Sequence, residues 1–259
     1  MIRLTCLLLL LTSFVSCSRE APGRGNDGPA YLLKSVTVHG LPSPYFSFAY
    51  NSEKRLLGFS HERDIYKYQI QYKSGEIFRV VDTATLSRDS LTYQYSGKLV
   101  SRIDIANASE RKLRHVSFEY DPQRRAERIT WVDDVSGLAK KQLVFRYNGN
   151  NLSGYDLWIS VSGSLMKLST CTYLEYDDKE NPFPNDMVKD DHFLYLPGVR
   201  LLWNNPVSYV ITGVSNDFRV TQSYSYMEGL PVTKTSLMEQ TRGPGAGMRV
   251  TGTTRYSYF

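Results

Sequence analysis

One phrase recurs along the chain and limits what it can fold into. It consists of alternating aromatic or aliphatic residues, a tyrosine, a polar turn, and a second alternating run. It appears as Phe46-Ser47-Phe48-Ala49-Tyr50-Asn51, Ile70-Gln71-Tyr72-Lys73-Ser74-Gly75 and Tyr93-Gln94-Tyr95-Ser96-Gly97. It returns as Phe118-Glu119-Tyr120-Asp121-Pro122, Phe145-Arg146-Tyr147-Asn148-Gly149, Leu174-Glu175-Tyr176-Asp177 and Tyr224-Ser225-Tyr226-Met227-Glu228-Gly229. The anchoring tyrosines are Tyr50, Tyr72, Tyr95, Tyr120, Tyr147, Tyr176 and Tyr226; the first five spacings rise from 22 to 29 residues and the last is 50, about two units.

Alternation at period two places Phe46, Phe48 and Tyr50 on one face of a strand and Ser47 and Ala49 on the other. Asn-Gly, Ser-Gly and Asp-Pro supply the dihedrals of tight turns. Each unit is therefore a β-hairpin, marginal alone and stable only when it shares an aromatic face with its neighbours. Seven hairpins imply about fourteen strands, more than an open twisted sheet holds flat. The expected fold is all-β: a curled antiparallel sheet of repeated β-hairpins, with an irregular C-terminal plug segment. Barrel, sandwich and open spiral all satisfy the pattern.

The irregular segment runs from Asn181 to Tyr209. Pro182 and Pro184 exclude a central strand, and Asn185 is placed to cap a short helix through Val188. The stretch Phe193, Leu194, Tyr195, Leu196, Val199, Leu201, Leu202, Trp203 carries more apolar side chains than one strand face can bury. It reads as a plug across the hollow of the sheet, the alternative being a lid over a cleft. A fixed plug requires Leu196, Leu201 and Trp203 buried and no large cavity.

The N-terminus reads as a leader. Arg3 precedes an apolar run from Leu4 to Val15, too short to span a bilayer. Phe14-Val15-Ser16-Cys17 resembles a lipobox, the processing and acylation site of bacterial lipoproteins, with Phe14 where Leu is usual. Residues 1–16 are thus a signal peptide, Cys17 is the lipidation site, and 17–30 form a glycine- and proline-bearing tether. Residues 31–259 form a single β-repeat domain. The resemblance implies a membrane partner reached through the lipid, and Ser18, not Asp, implies the outer membrane, on its periplasmic or surface face. With Cys6 in the leader and Cys17 acylated, Cys171 stands alone and reads as a small buried hydrophobe.

Little in the chain points to catalysis. His39, His61, His115 and His192 form no metal-binding pair, and Asp190-Asp191-His192, the one compact ligand cluster, reads as a solvated turn. Gly243-Pro244-Gly245-Ala246-Gly247 lacks the Lys-Ser/Thr of a phosphate loop and reads as a loop before the last strand. No catalytic residue, metal site or cofactor is assigned. A net charge of +5 is too mild for a nucleic-acid partner. The groups Arg111-Lys112-Arg114, Arg124-Arg125-Arg128 and Lys140-Lys141 read as solvated turns, with an anionic glycan or lipid headgroup as the sharper alternative. Asp82-Thr83-Ala84 and Asp89-Ser90-Leu91 resemble a bacterial O-glycosylation motif. Asn107-Ala108-Ser109 and Asn151-Leu152-Ser153 match an N-glycan acceptor of another compartment.

The repeated Tyr-Asp/Asn turns resemble YD-type (RHS-like) repeats. Together with the lipobox, Tyr176-Asp177-Asp178-Lys179-Glu180-Asn181-Pro182-Phe183, Asn204-Asn205-Pro206 and Tyr226-Met227-Glu228-Gly229-Leu230-Pro231, they resemble a Bacteroidota lipoprotein family of unknown function. Lys73, Ser96 and Met227 depart from its Asp or Asn. The resemblance implies surface or periplasmic residence, a β-rich fold and no known reaction. The expected function is a membrane-anchored, non-catalytic module that binds a glycan or protein or serves as a scaffold; the alternative is an enzyme acting on an envelope polymer or polysaccharide.

Overall fold

The structure is a computed structural model that describes residues 31–84, 88–185, 187–188 and 192–259. The expected leader, Cys17 and the tether lie outside the described residues. Tyr31–Phe259 form one compact unit. Sixteen strands run in chain order: β1 (Leu33–Val38), β2 (Phe46–Tyr50), β3 (Leu56–His61), β4 (Tyr66–Lys73), β5 (Glu76–Asp82), β6 (Ser90–Ser96), β7 (Leu99–Ala106) and β8 (Lys112–Tyr120). They continue as β9 (Ala126–Asp133), β10 (Ala139–Asn148), β11 (Asn151–Val161), β12 (Ser164–Glu180), β13 (Asn204–Gly213), β14 (Asp217–Met227), β15 (Leu230–Arg242) and β16 (Arg249–Tyr258). Each pairs antiparallel with its sequence neighbours, and β16 pairs with β1, so the sheet closes into a barrel. The all-β antiparallel expectation holds. The curled sheet is a closed barrel with two more strands than the seven phrases implied, because β1 and β16 form an eighth unit that the repeat does not announce.

Sidedness follows the alternation. In β4, Tyr66, Tyr68, Ile70 and Tyr72 face inward while Lys67, Gln69, Gln71 and Lys73 are exposed. Register carries the outward row around the whole wall. Gln71, Arg79 and Thr92 stand in line on β4–β6, and Ser208, Thr221 and Leu237 on β13–β15. Thr235 pairs with Thr253 and Ser35 with Ser257. The outer face is dominated by hydroxyls, amides and charges. The core lies within, where Val80, Leu91, Ile103, Ile105, Val116 and Ile129 are fully buried.

Hydrogen bonds at one end explain the tyrosines. Tyr50 donates to the carbonyl of Leu33, Tyr72 to Leu56, Tyr95 to Ile77 and Tyr120 to Val100. Tyr147 donates to Ala126, Tyr176 to Leu152, and Tyr258 to Pro231, while the Tyr224 hydroxyl lies 3.0 Å from the carbonyl of Pro206. In seven of the eight links the acceptor residue pairs with the closing tyrosine of the preceding unit: Leu56 opposes Tyr50, Ile77 opposes Tyr72, Val100 opposes Tyr95, and Leu33 opposes Tyr258, whereas Pro231, the acceptor of Tyr258, opposes Tyr226. The eight units thus interlock head to tail in a closed ring. A register irregularity lies beside the tyrosine at seven of the eight seams, for example between Gln94 and Tyr95 and between Leu33 and Ser35; in the seventh unit it lies beside Tyr226 instead of Tyr224. Such bulges bend and twist a strand, and repetition around the sheet gives the coiling that closes it. In the seventh unit the sequence phrase points to Tyr226, but the ring uses Tyr224; Tyr226 bonds the Asp177 carboxylate instead.

The Tyr-Asp/Asn turns have a local cause. Asp121 accepts the backbone N–H of Arg125 at 2.9 Å, and Asn51 accepts those of Glu53 and Arg55, which closes five-residue connections. The departure at Lys73 sits in a two-residue turn, where Ser74 and Gly75 both adopt positive φ and no side-chain cap is needed.

The segment between β12 and β13 replaces the sixth turn and folds into the lumen. Phe193, Leu194, Leu196, Val199, Leu201 and Leu202 are buried in the main core with Val188. The plug expectation holds for Leu196 and Leu201. It fails for Trp203, which is 39% exposed and covers the Arg200 guanidinium at 5.1 Å, where the chain leaves the plug to enter β13. Nor does Asn185 cap a helix. Val188 N–H bonds the Asn185 carbonyl in a turn, and the Asn185 side chain bridges the plug by binding Val199 and Leu201 backbone groups at 2.7 and 3.0 Å. This insertion also explains the spacing of 50, which is one unit plus the plug.

Candidate ligand-binding site in the barrel lumen

The plug does not fill the barrel evenly. The buried cluster draws on β1–β11 and on the plug, and no residue of β12–β16 is among its fully buried members. Against that second part of the wall lies a cavity of about 330 Å³, where a fixed plug was expected to leave no large one. This volume is at the lower end of the range of small-ligand pockets, about 300–1,000 Å³.

Five tyrosines face it from the wall: Tyr155, Tyr173, Tyr209, Tyr224 and Tyr256. They are brought together by register, since Tyr155 opposes Cys171, two residues before Tyr173 on the same face of β12, and Tyr173 opposes Tyr209. Ring centroids of Tyr173 lie 5.5 Å from Tyr209 and 6.4 Å from Tyr155, spacings typical of favourable aromatic pairs. Tyr45 and Phe46 close the other side, and the plug contributes Phe183, Met187 and Leu202.

The polar lining is small and varied: Asn181, Gln222, Thr254 and Lys234. Gln222 is buried and held at both ends, with its amide nitrogen 3.2 Å from Ser236 Oγ and its oxygen 2.9 Å from the Tyr224 hydroxyl. Lys234 stands between Tyr224 and Thr254 in the register. Lys234 supplies the cation of the lining, and among the described residues it makes no hydrogen bond or ion pair. The described lining holds no aspartate, glutamate or histidine. Tyr45 at the rim donates to Glu62 at 3.4 Å, and its phenol is raised above its ordinary pKa by burial and then by that carboxylate.

A second polar group pins the plug. Tyr68 Oη lies 2.9 Å from His192 Nδ1, and His192 Nε2 lies 3.1 Å from an Asp89 oxygen; all three are buried. His192 is therefore a latch inside the barrel and not part of a solvated turn, because the alternation of β4 presents Tyr68 to it; Asp190 and Asp191 lie outside the described residues. Tyr93 adds a bond to the Tyr195 carbonyl at 2.9 Å.

The other residues singled out by sequence fall into structural roles. Cys171 is buried. His61 stacks on Tyr66 at 4.3 Å, and His115 meets Asp134 at 2.5 Å. The basic groups are largely engaged. Lys112 pairs with Asp104, Arg125 with Asp121 and the Tyr147 ring, Arg128 with Glu119, and Lys141 lies over Trp131. Ser90 is buried, so its glycosylation-like motif presents no accessible hydroxyl, whereas Thr83 is exposed and donates to the Lys67 carbonyl. Asn107 and Asn151 are spent on backbone N–H groups. The cavity residues Gln222 and Lys234 were not legible as a site: β15 alternates Thr233, Lys234, Thr235, Ser236, polar on both faces, so its pattern gives no inward side.

Fold likeness comes from two solved structures. A porin-like protein from Bacteroides uniformis is 16% identical with a TM-score of 0.58, over 83% of this chain and 89% of that one. A porin-like protein from Bacteroides vulgatus is 13% identical with a TM-score of 0.56, over 88% of this chain and 99% of that one. The likeness is one of fold. No family model matches the chain, and no curated protein does.

Proposed function

We propose that this chain is a lipid-anchored protein of the cell envelope whose barrel stands in water and binds a glycan in its lumen without transforming it. The anchor is Cys17, within the lipobox-like Phe14-Val15-Ser16-Cys17, and the YD-type lipoprotein family of the sequence resemblance is its family. The outer membrane, on its periplasmic or surface face, is its location. A barrel that crosses a membrane turns an apolar band about 25 Å tall to lipid and keeps a polar interior. This barrel is built the other way, with Lys67, Gln69, Gln71 and Lys73 outside and Tyr68 and Ile70 inside. That inversion favours attachment by lipid over insertion, whatever the fold likeness to porin-like proteins.

The observation that carries the binding reading is the lumenal cavity, where tyrosine faces meet the amides of Gln222 and Asn181. Flat aromatic faces cover the apolar face of a sugar ring while amides and hydroxyls meet its hydroxyl groups. The absence of carboxylate and histidine from the described lining favours binding over hydrolysis, which needs paired carboxylates.

A panel of soluble oligosaccharides titrated into the mature protein tests this. Gly252 supplies the control, since a Cβ built there meets nothing within 4 Å and its strand position faces Ser236 beside Gln222. Gly252→Trp should obstruct the lumen and abolish binding with the melting temperature kept. Binding unchanged in that variant would place the site elsewhere.

A further inference from the structure

We infer that the lumenal site is selective for anionic sugars, with Lys234 receiving the carboxylate or sulfate group; this rests on the glycan-binding reading above. Lys234 projects from β15 to the inner side of the barrel, aligned with Tyr224 on β14 and Thr254 on β16. It lines the cavity, is half-buried, and among the described residues makes no hydrogen bond or ion pair. Several other half-buried cations do carry a carboxylate: Arg79 meets Glu110, Arg102 meets Asp104, Arg125 meets Asp121, Arg128 meets Glu119 and Arg200 meets Glu180.

An ammonium withdrawn from bulk water without a counter-charge is costly, and an anion brought by a ligand would offset that cost. Nothing in the described lining repels an anion, because no aspartate or glutamate is there. Lysine acts as a point charge with three rotatable donors and imposes no fork geometry, so carboxylate and sulfate are both accommodated. The remaining groups orient the ring. The Gln222 amide is fixed by Ser236 and the Tyr224 hydroxyl, and Asn181, which also lines the cavity, is fixed by the Phe183 N–H at its side-chain oxygen. The volume of 330 Å³ suits one such ring, with the rest of the chain outside.

Calorimetric titration of the mature protein with trigalacturonate, a sulfated galactose trisaccharide and neutral galactotriose decides the matter, with Lys234→Met and Lys234→Arg alongside. At least one anionic probe should bind about tenfold or more tighter than the neutral one, the value of one charge-assisted hydrogen bond. Lys234→Met should remove that preference while its melting temperature stays near that of the unsubstituted protein, and Lys234→Arg should restore most of it. The stronger of the two anionic probes tells carboxylate from sulfate. Equal binding of neutral and anionic probes, or a preference that survives Lys234→Met, overturns the inference and leaves the glycan-binding reading standing. Failure of all three probes to bind overturns both.

Discussion

The hydroxyl of Tyr120 donates to the carbonyl of Val100 across 2.7 Å, and Val100 is the residue that pairs with Tyr95. One tyrosine therefore ties its own hairpin to the seam of the previous one. Removing the hydroxyl leaves a carbonyl on a fully buried residue without its partner, a loss of about 1–3 kcal/mol. Tyr120→Phe should lower unfolding stability by that amount in urea. Tyr226→Phe, at a residue 37% exposed and outside the ring of eight, should cost less than Tyr120→Phe, because water can replace its hydroxyl at the Asp177 carboxylate. Equal effects would mean the ring has no special part in the fold.

The same phenols give the barrel an alkaline limit. Burial raises the Tyr95 pKa from 10.0 to about 12, helped by Glu76, and burial likewise raises Tyr195 to about 12. Tyr120, Tyr147 and Tyr258 are raised by burial as well. A phenol held neutral in the folded state stabilises it fully below its unfolded pKa and loses that contribution as pH rises through the folded value. Stability should thus be flat on this account below pH 10 and fall between 10 and 12. Tyrosine ionisation followed by ultraviolet absorbance should coincide with loss of β circular dichroism. Ionisation well before unfolding would show the rings to be open to water.

The plug should behave as core. Leu194 and Leu201 are fully buried, whereas Trp203 is not. Leu201→Ala should cost about 2–5 kcal/mol, and Trp203→Ala clearly less. In hydrogen exchange, the backbone N–H of Leu201, which bonds Asn185, should be protected as well as the amides of β7. Fast exchange there would make the segment a lid over the cavity.

The proposed anchorage rests on Cys17. Cys17→Ala should abolish fatty-acid labelling of the chain and leave the precursor unprocessed; labelling that persists would remove the lipoprotein reading.

The sequence announced the hairpins because period-two alternation and turn residues are local signals, and Tyr50, Tyr72, Tyr95, Tyr120, Tyr147 and Tyr176 all take the ring positions. Closure was not legible, because whether β16 meets β1 depends on the sum of eight small bends. Tyr258 escaped notice because no turn follows it in the phrase, and Tyr224 was passed over for Tyr226 because both share one inward face. Leu196 and Leu201 read correctly as plug residues from apolar density. Trp203 did not, since density says nothing of where a segment leaves the core. The burial of His192 needs Tyr68 and Asp89, more than a hundred residues away in sequence, and no local pattern carries such a contact. Lys234 is of the same kind, its meaning set by what surrounds the cavity.

The most direct test of a barrel that turns its polar face outward concerns the chain from Ser18 onward, which lacks the proposed acylation site. Such a protein should fold and remain monodisperse in buffer free of detergent, stay in the aqueous fraction when floated with phospholipid vesicles, and leave a planar bilayer without conductance. Partition into vesicles with stepwise conductance would contradict it and would make the lumen a channel instead of a binding compartment.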